Sequence, residues 1–315
     1  MSKKKIKIGV IGIGHLGNYH LQKYAKLANC TIVAVADTQI ERTGKAADLY
    51  QCAAYSDHRE MLGQVDAVSI AVPTGEHHRV ARDFLAAGLD VLIEKPICST
   101  LEEADELLAL AGEKNCILQV GFVERFNPAI MALDNVIGKP MFIEAHRLHP
   151  FFERGTDVDV ILDLMIHDLD IILKFVNAPL TSVEAVGIPV LSSKIDISNV
   201  RLSFATGCVA NITASRISAK TMQKIRFFGN EGYHSVDCQK REILSLGKRR
   251  NDAGTVEIYS NNIEVGSHDP LEEEIRSYLH AVISRTRPLI SGEDARKSLE
   301  LAIDIIRKMK TAEVI

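Results

Sequence analysis

The chain has 315 residues, 46% of them hydrophobic and 25% charged, with a formal net charge of -4 at pH 7. This length exceeds the roughly 250–300 residues at which single cores stop growing, so two domains are expected. The acidic balance excludes the basic footprint of a nucleic-acid binder, and no apolar run approaches the roughly 18 residues of a membrane span.

The first element is a strand over Ile6–Ile11, followed by a helical pattern from Leu16 to Leu27. Between them Gly12, Gly14 and Gly17 form G-x-G-x-x-G, the spacing that cradles a dinucleotide pyrophosphate. The first glycine permits the tight turn, the second lets backbone N–H groups approach the phosphates, and the third lets helix and strand pack closely. His15 and Leu16, at the start of the helix, join the cofactor-binding set, whereas His20 is read as packing on the helix. A second strand, Thr31–Ala36, ends at Asp37, whose carboxylate is placed to accept the ribose hydroxyls and to repel a 2'-phosphate, favouring NAD over NADP. The competing reading is a glycine-rich turn with Asp37 capping a helix.

The alternation continues through strands near Val65–Val72, Val91–Ile93 and Ile117–Val120, with helices near Glu76–Ala87 and Leu101–Ala111. That order predicts an α/β Rossmann domain, a parallel sheet with helices on both faces. Ligands of such sheets bind beyond the carboxyl ends of the strands, where Pro73, Thr74, Glu94 and Lys95 fall. After Phe122 the pattern becomes strand-rich, with runs at Val183–Val190, Ile197–Phe204, Val209–Arg216, Gln223–Phe228 and His234–Asp237. These predict an α+β domain with a mostly antiparallel open sheet. The expected division is 1–122 and 123–315.

The segment Asp157–Val176 is a mostly apolar helix on which Asp159, Asp163, His167, Asp170 and Lys174 recur every three or four residues. By itself such a stripe reads as a solvent-facing side. Lys248–Asp252 reads as a charged hairpin tip. The six cysteines form no C-x-x-C pair, which argues for a reducing, cytoplasmic compartment and against a zinc site or disulfide framework. The basic start MSKKK precedes an apolar stretch broken by glycines, with no small-residue cleavage site after it, and reads as mature protein.

The segment AVPTGEHHRVARDFLAAGLDVLIEKPI, Ala71–Ile97, resembles the glucose–fructose oxidoreductase, inositol dehydrogenase and MocA family, with its Pro-(Asn/Thr)-x-x-His and Glu-Lys-Pro motifs. GFVERFNP, Gly121–Pro128, and FFGNEGYHSVD, Phe227–Asp237, extend the resemblance over nearly the whole chain. It implies an NAD-dependent oxidation of a secondary sugar hydroxyl. Glu94 then lies near the nicotinamide ribose, Lys95 is catalytic, and Asp163-x-x-x-His167 supplies the acid–base pair. His167 is the expected base and Lys95 the donor to the developing alkoxide, although the family also supports the exchanged assignment. His77 either matches a family histidine near the nicotinamide or is a surface residue at a helix start. Arg125 and Asn127 are expected to combine junction structure with substrate binding.

The segment Arg154–Val160 lacks the glycine-rich stretch of many members, which counts against simple cyclic polyols. The combination of GHLGNYHLQKY, HRLHPF (His146–Phe151) and RGTDVDVILDLMIHDLD resembles the branch of UDP-N-acetylglucosamine 3-dehydrogenases, which serve lipid A biosynthesis. In that reading Arg147 and Arg154 contact the substrate diphosphate; otherwise they are surface arginines. No metal is implied. The resemblance also implies a homodimer or homotetramer, with no membrane or nucleic-acid partner. The rivals are a dehydrogenase of a free sugar or inositol, and a non-catalytic dinucleotide-sensing protein.

Overall fold

The computed structural model describes residues 5–151, 158–230, 232–251 and 255–311. The chain forms two compact units: residues 1–123 with 269–299, and residues 124–268 with 300–315.

The first unit alternates β1 (Ile6–Ile11), α1 (His15–Tyr24), β2 (Cys30–Ala36), α2 (Ile40–Tyr50), β3 (Ala53–Tyr55), β4 (Ala67–Ile70), α3 (Thr74–Ala86), β5 (Asp90–Glu94), α4 (Leu101–Lys114) and β6 (Leu118–Gly121). Its six strands pair in parallel in the order β3-β2-β1-β4-β5-β6. All residues of β4 and β5 are buried, as expected for central strands covered on both faces. The order reverses between β1 and β4, the switch point at which such sheets open a crevice for ligands.

The second unit contains a short α5 (Pro128–Met131), β7 (Pro140–Leu148), a π turn at Ile161–Met165 continuing into α6 (Ile166–Val176), β8 (Leu180–Ile188), β9 (Ile197–Phe204), β10 (Val209–Ser215), β11 (Met222–Gly229), β12 (Gly232–Asp237), β13 (Glu242–Arg250) and β14 (Val256–Asn261). A two-residue β15 (Lys310–Thr311) completes the sheet order β14-β13-β12-β11-β7-β10-β9-β8-β15. Among the described residues of this sheet, only β7–β10 and β8–β15 pair in parallel. The Phe175 ring of α6 packs at 5.1 Å on Phe227 of β11, so the helix covers one face of this sheet.

One expectation is corrected. Residues 269–299, read from sequence as part of the second domain, belong to the first unit. They hold α7 (Pro270–Ser284) and the first half of α8 (Gly292–Lys308). Asp269 caps α7 by accepting from the Glu272 N–H, and Pro270 at its first position needs no partner for a missing N–H. The helix then buries Ile275, Tyr278, Leu279 and Val282 in the core around β1 and β2. Lys23 pairs with Asp269 at 2.9 Å and Tyr278 donates to the Val68 carbonyl at 3.2 Å, ties that no local pattern reveals. No helix among the described residues is long and apolar enough to cross a membrane.

Candidate active site

The glycine loop has the geometry of a phosphate cradle. Gly12 has φ +85°, and a Cβ there would lie 2.6 Å from the Ala71 carbonyl oxygen. A Cβ on Gly17 would lie 1.9 Å from the Gly12 carbonyl oxygen, so both positions require glycine for the fold itself. Gly14 differs: its φ is -80°, and the nearest atom to an added Cβ is 4.0 Å away. Space is therefore kept at the N-terminus of α1, whose cap supplies no side-chain hydrogen bond. Uncapped N–H groups beside an open glycine fit a dinucleotide pyrophosphate.

Asp37 follows β2. Its Oδ2 accepts the Ile13 N–H at 2.7 Å and its Oδ1 the Gln39 N–H at 2.8 Å. Each carboxylate oxygen offers two lone pairs, so a fixed, oriented anion remains able to accept a pair of ribose hydroxyls. Arg42 Nη1 is 3.9 Å from Oδ2.

At the ends of β4 and β5, Pro73 is exposed and Thr74 is half-buried at the start of α3. His77 is not the surface residue of the second reading: it is buried, with Nδ1 2.8 Å from the Pro96 carbonyl and Nε2 3.0 Å from that of Val72. Burial pushes its imidazole below the ordinary histidine value despite these carbonyls, and a neutral ring, with one N–H, donates to one of the two. Lys95 is half-buried, and the Lys95–Pro96 bond is cis.

Glu94 is almost enclosed. Its Oε1 lies 2.9 Å from His20 Nε2, and His20 Nδ1 lies 2.7 Å from Ser69 Oγ. His20 thus has polar partners on both ring nitrogens, a role beyond packing. The signal available in the sequence is a histidine on the same helical face as the buried Gly17, Leu21 and Tyr24. The Ser–His–Glu order suggests a hydrolytic relay, but Ser69 is wholly buried in β4 and offers no face to a substrate.

In the second unit, Asp163 lies in the π turn and His167 at the second position of α6; both are half-buried while Met165, Ile166 and Asp168 around them are buried. Asp170 breaks the expected solvent stripe. It is buried and paired with Arg125, whose Nη1 lies 3.3 and 3.4 Å from its two oxygens.

Arg147 corrects a second expectation. It is 3% exposed, forms a bidentate fork on Asp168 at 2.9 and 3.0 Å, and donates to Glu124 at 3.2 Å. Its guanidinium is already enclosed by two carboxylates, which hold it in the charged form against the cost of burial. A substrate diphosphate has no access to it. Asn127 is likewise engaged: its Oδ1 accepts the Ala129 N–H and its Nδ2 donates to the Cys238 carbonyl and Glu124. The structural half of the role expected for Arg125 and Asn127 is what these bonds express. Arg154 lies outside the described residues.

Sequence reasoning did not single out Asp196 and Arg216. Asp196 accepts from the N–H groups of Val190, Leu191 and Ser192, and from Arg216 Nε at 2.8 Å, while Arg216 Nη1 donates to the Val158 carbonyl. The pair anchors the segment that leads into the π turn.

A family model described as "Oxidoreductase family, NAD-binding Rossmann fold" matches residues 6–122, and one described as "GFO/IDH/MocA C-terminal domain" matches residues 131–235. The chain is 36% identical over 305 residues to UDP-N-acetylglucosamine 3-dehydrogenase of Acidithiobacillus ferrooxidans, covering 95% of this chain and 96% of that protein. A solved structure of that enzyme has a TM-score of 0.88 at 34% identity, covering 97% of this chain and 98% of that one. Myo-inositol 2-dehydrogenase of Thermotoga maritima is 26% identical, with 98% of this chain and 100% of that protein covered. A levoglucosan dehydrogenase solved as a complex with NADH shares the fold, with a TM-score of 0.86 at 19% identity and 97% of each chain covered.

Proposed function

The chain belongs to the Gfo/Idh/MocA family of NAD-binding oxidoreductases that act on CH–OH groups, and from that premise we propose that it oxidises the 3-hydroxyl of a UDP-sugar such as UDP-N-acetylglucosamine. The full-length likeness to an enzyme of that name supports this substrate over inositol, for which the likeness is weaker.

Bound NAD supplies the hydride acceptor. The protein's task is the proton, because the alcohol must lose O–H and C–H together to become a ketone. In the proposed reaction the hydroxyl proton passes to His167, a group whose ordinary pKa suits exchange near neutrality. Asp163, earlier on the same helical segment, orients the imidazole. Lys95 donates a hydrogen bond to the oxygen as negative charge develops, an interaction strongest in the transition state.

The test is spectrophotometric NADH formation with UDP-N-acetylglucosamine, free N-acetylglucosamine and myo-inositol. Turnover on the nucleotide sugar, competitive inhibition by UDP, and a fall of at least roughly a hundredfold for His167→Ala and for Lys95→Ala are expected. Turnover of inositol with no effect of UDP moves the reading to an unactivated polyol. NAD binding with no turnover of any of the three favours a dinucleotide sensor.

Self-association is part of the same reading. On the sheet face opposite α6, Phe142, Phe228, Tyr233 and Leu246 are register partners across β7, β11, β12 and β13. Successive rings lie 5.6 and 4.9 Å apart. Such a row suits contact with a second copy, and light scattering at micromolar concentration reads the assembly directly. The six free cysteines agree with a cytoplasmic setting.

A further inference from the structure

Below the carboxyl end of β5 lies a polar cluster sealed within the first unit. His20, Ser69, Gln119 and Glu274 are fully buried, and Tyr24 is 1% exposed. Only Glu94 reaches outward, with 11% of its side chain accessible.

The atoms leave little freedom. A carboxylate only accepts, so His20 Nε2 must carry the proton that bridges the 2.9 Å to Glu94 Oε1. On its other edge His20 Nδ1 lies 2.7 Å from the Ser69 hydroxyl, which can donate or accept there, so both ring nitrogens are held. On its other side the Glu94 carboxylate rests on Gly121, where an added Cβ would lie 3.1 Å from Oε2. The carboxylate is held between an imidazole and a glycine, with one edge facing out.

We propose that His20 is a positioning residue that fixes the direction and charge of the Glu94 carboxylate for the nicotinamide-ribose end of the dinucleotide. The proposal rests on the reading that Glu94 meets that ribose. His20 itself, sealed beneath β5, has no route to the ligand and acts only through Glu94.

The surroundings make such a device necessary. Burial alone would raise the Glu94 carboxyl, and the His20 hydrogen bond, with the neighbouring Lys95 charge, brings it below its ordinary value. Glu274 from α7 opposes them. Its own carboxyl is pushed well above its ordinary value, first by burial and then by the proximity of Glu94. The groups facing Glu94 are thus His20 of α1, Ser69 of β4 behind it, Lys95 next in the chain, His77 of α3, and Glu274 of α7. Without the imidazole N–H, desolvation acts on Glu94 with one fewer opponent, and its carboxyl takes up a proton at higher pH.

NADH affinity, read by fluorescence titration between about pH 6 and pH 8.5, tests this without any sugar substrate. Wild type is expected to bind with little pH dependence. His20→Ala should bind about tenfold more weakly near pH 6, the effect of a hydrogen bond to a charged group, and recover as pH rises. His20→Gln, which keeps an N–H donor, should restore most of the affinity. Glu94→Gln should weaken binding at every pH, and adding His20→Ala to it should cost nothing further.

The proposal is overturned by a loss in His20→Ala that is the same at every pH, by losses that simply add in the double variant, or by unchanged affinity in His20→Ala while Glu94→Gln binds weakly. Unchanged affinity in Glu94→Gln would instead remove the underlying ribose contact. If His20→Ala does not fold, Ser69→Ala removes only the polar contact that holds the far edge of the His20 ring. A smaller shift in the same direction supports the proposal, and a pH-independent result overturns it.

Discussion

Asp37 Oδ2 accepts the Ile13 backbone N–H at 2.7 Å, and so ties the end of β2 to the glycine loop after β1. The carboxylate that is to discriminate between cofactors is therefore also part of the loop's framework. Asp37→Ala is expected to lower kcat/KM with NAD by roughly tenfold to a hundredfold, the scale of losing one or two charge-assisted hydrogen bonds. Arg42, 3.9 Å away, then loses its carboxylate partner and is available to a 2'-phosphate. The NADP-to-NAD preference should rise in a side-by-side assay. An unchanged ratio would show that Asp37 shapes the loop without choosing the cofactor.

Arg147 is enclosed by Asp168 and Glu124, so its removal leaves the buried Asp168 carboxylate and the half-buried Glu124 without a counter-charge. Arg147→Ala should destabilise the protein by about 3–5 kcal/mol, as when one member of a buried pair is deleted. Arg147→Lys should be only a partial substitute, because an ammonium cannot form the bidentate fork. Denaturant unfolding reads this directly. A folded, fully stable Arg147→Ala enzyme whose only defect is weaker UDP inhibition would return the residue to the substrate.

Asp196 yields an acid-sensitive prediction. Burial alone would raise its carboxyl, but hydrogen bonds from Ser192, Arg216 and the Val190 N–H outweigh it and hold the group well below the usual carboxylate range. The folded value is depressed, so the stabilisation is present above the unfolded value of about 3.9 and is lost as pH falls below it. Asp196→Asn should unfold at lower denaturant concentration near neutrality, by about 2–4 kcal/mol, and show a flatter stability profile below about pH 4. Equal profiles for variant and wild type would rule out the carboxylate as the acid-labile tie.

Glu274 has the opposite sign. Its folded value is raised, so native protein keeps a proton that the unfolded chain releases above about pH 4.3, and stability falls as pH rises from there toward the folded value. The slope is at most about 1.4 kcal/mol per pH unit. Glu274→Gln cannot ionise and should remove that slope, with a melting temperature above that of wild type at pH 8 and close to it near pH 4. Parallel melting curves across this range would mean that Glu274 is not the buried proton carrier.

Most helices and strands of the first unit were readable because their signals are local, although α2, β3 and α7 were not predicted. Apolar runs alternate with helical periods, and three glycines at fixed spacing leave few other backbone solutions. The Asp163-x-x-x-His167 spacing is local in the same sense. β7 is less readable, since its buried face carries Arg147 among Ile143 and Ala145, and a charge there hides the alternation. The π turn before α6 was also hidden, because one extra residue in a helical turn alters which side chains share a face without altering composition.

From the sequence alone came the class of fold and the dinucleotide cradle, because each depends on neighbours within about one strand–turn–helix unit, whereas the candidate proton-transfer residues came from the family resemblance. Tertiary structure alone decided which charged groups are internal: Arg147 with Asp168, Arg125 with Asp170, and Glu94 with His20 and near Glu274. It also decided that α7 returns to the first unit. Whether a charge can be buried depends on partners brought from 21 to 74 residues away in these pairs, and local periodicity carries no record of such partners.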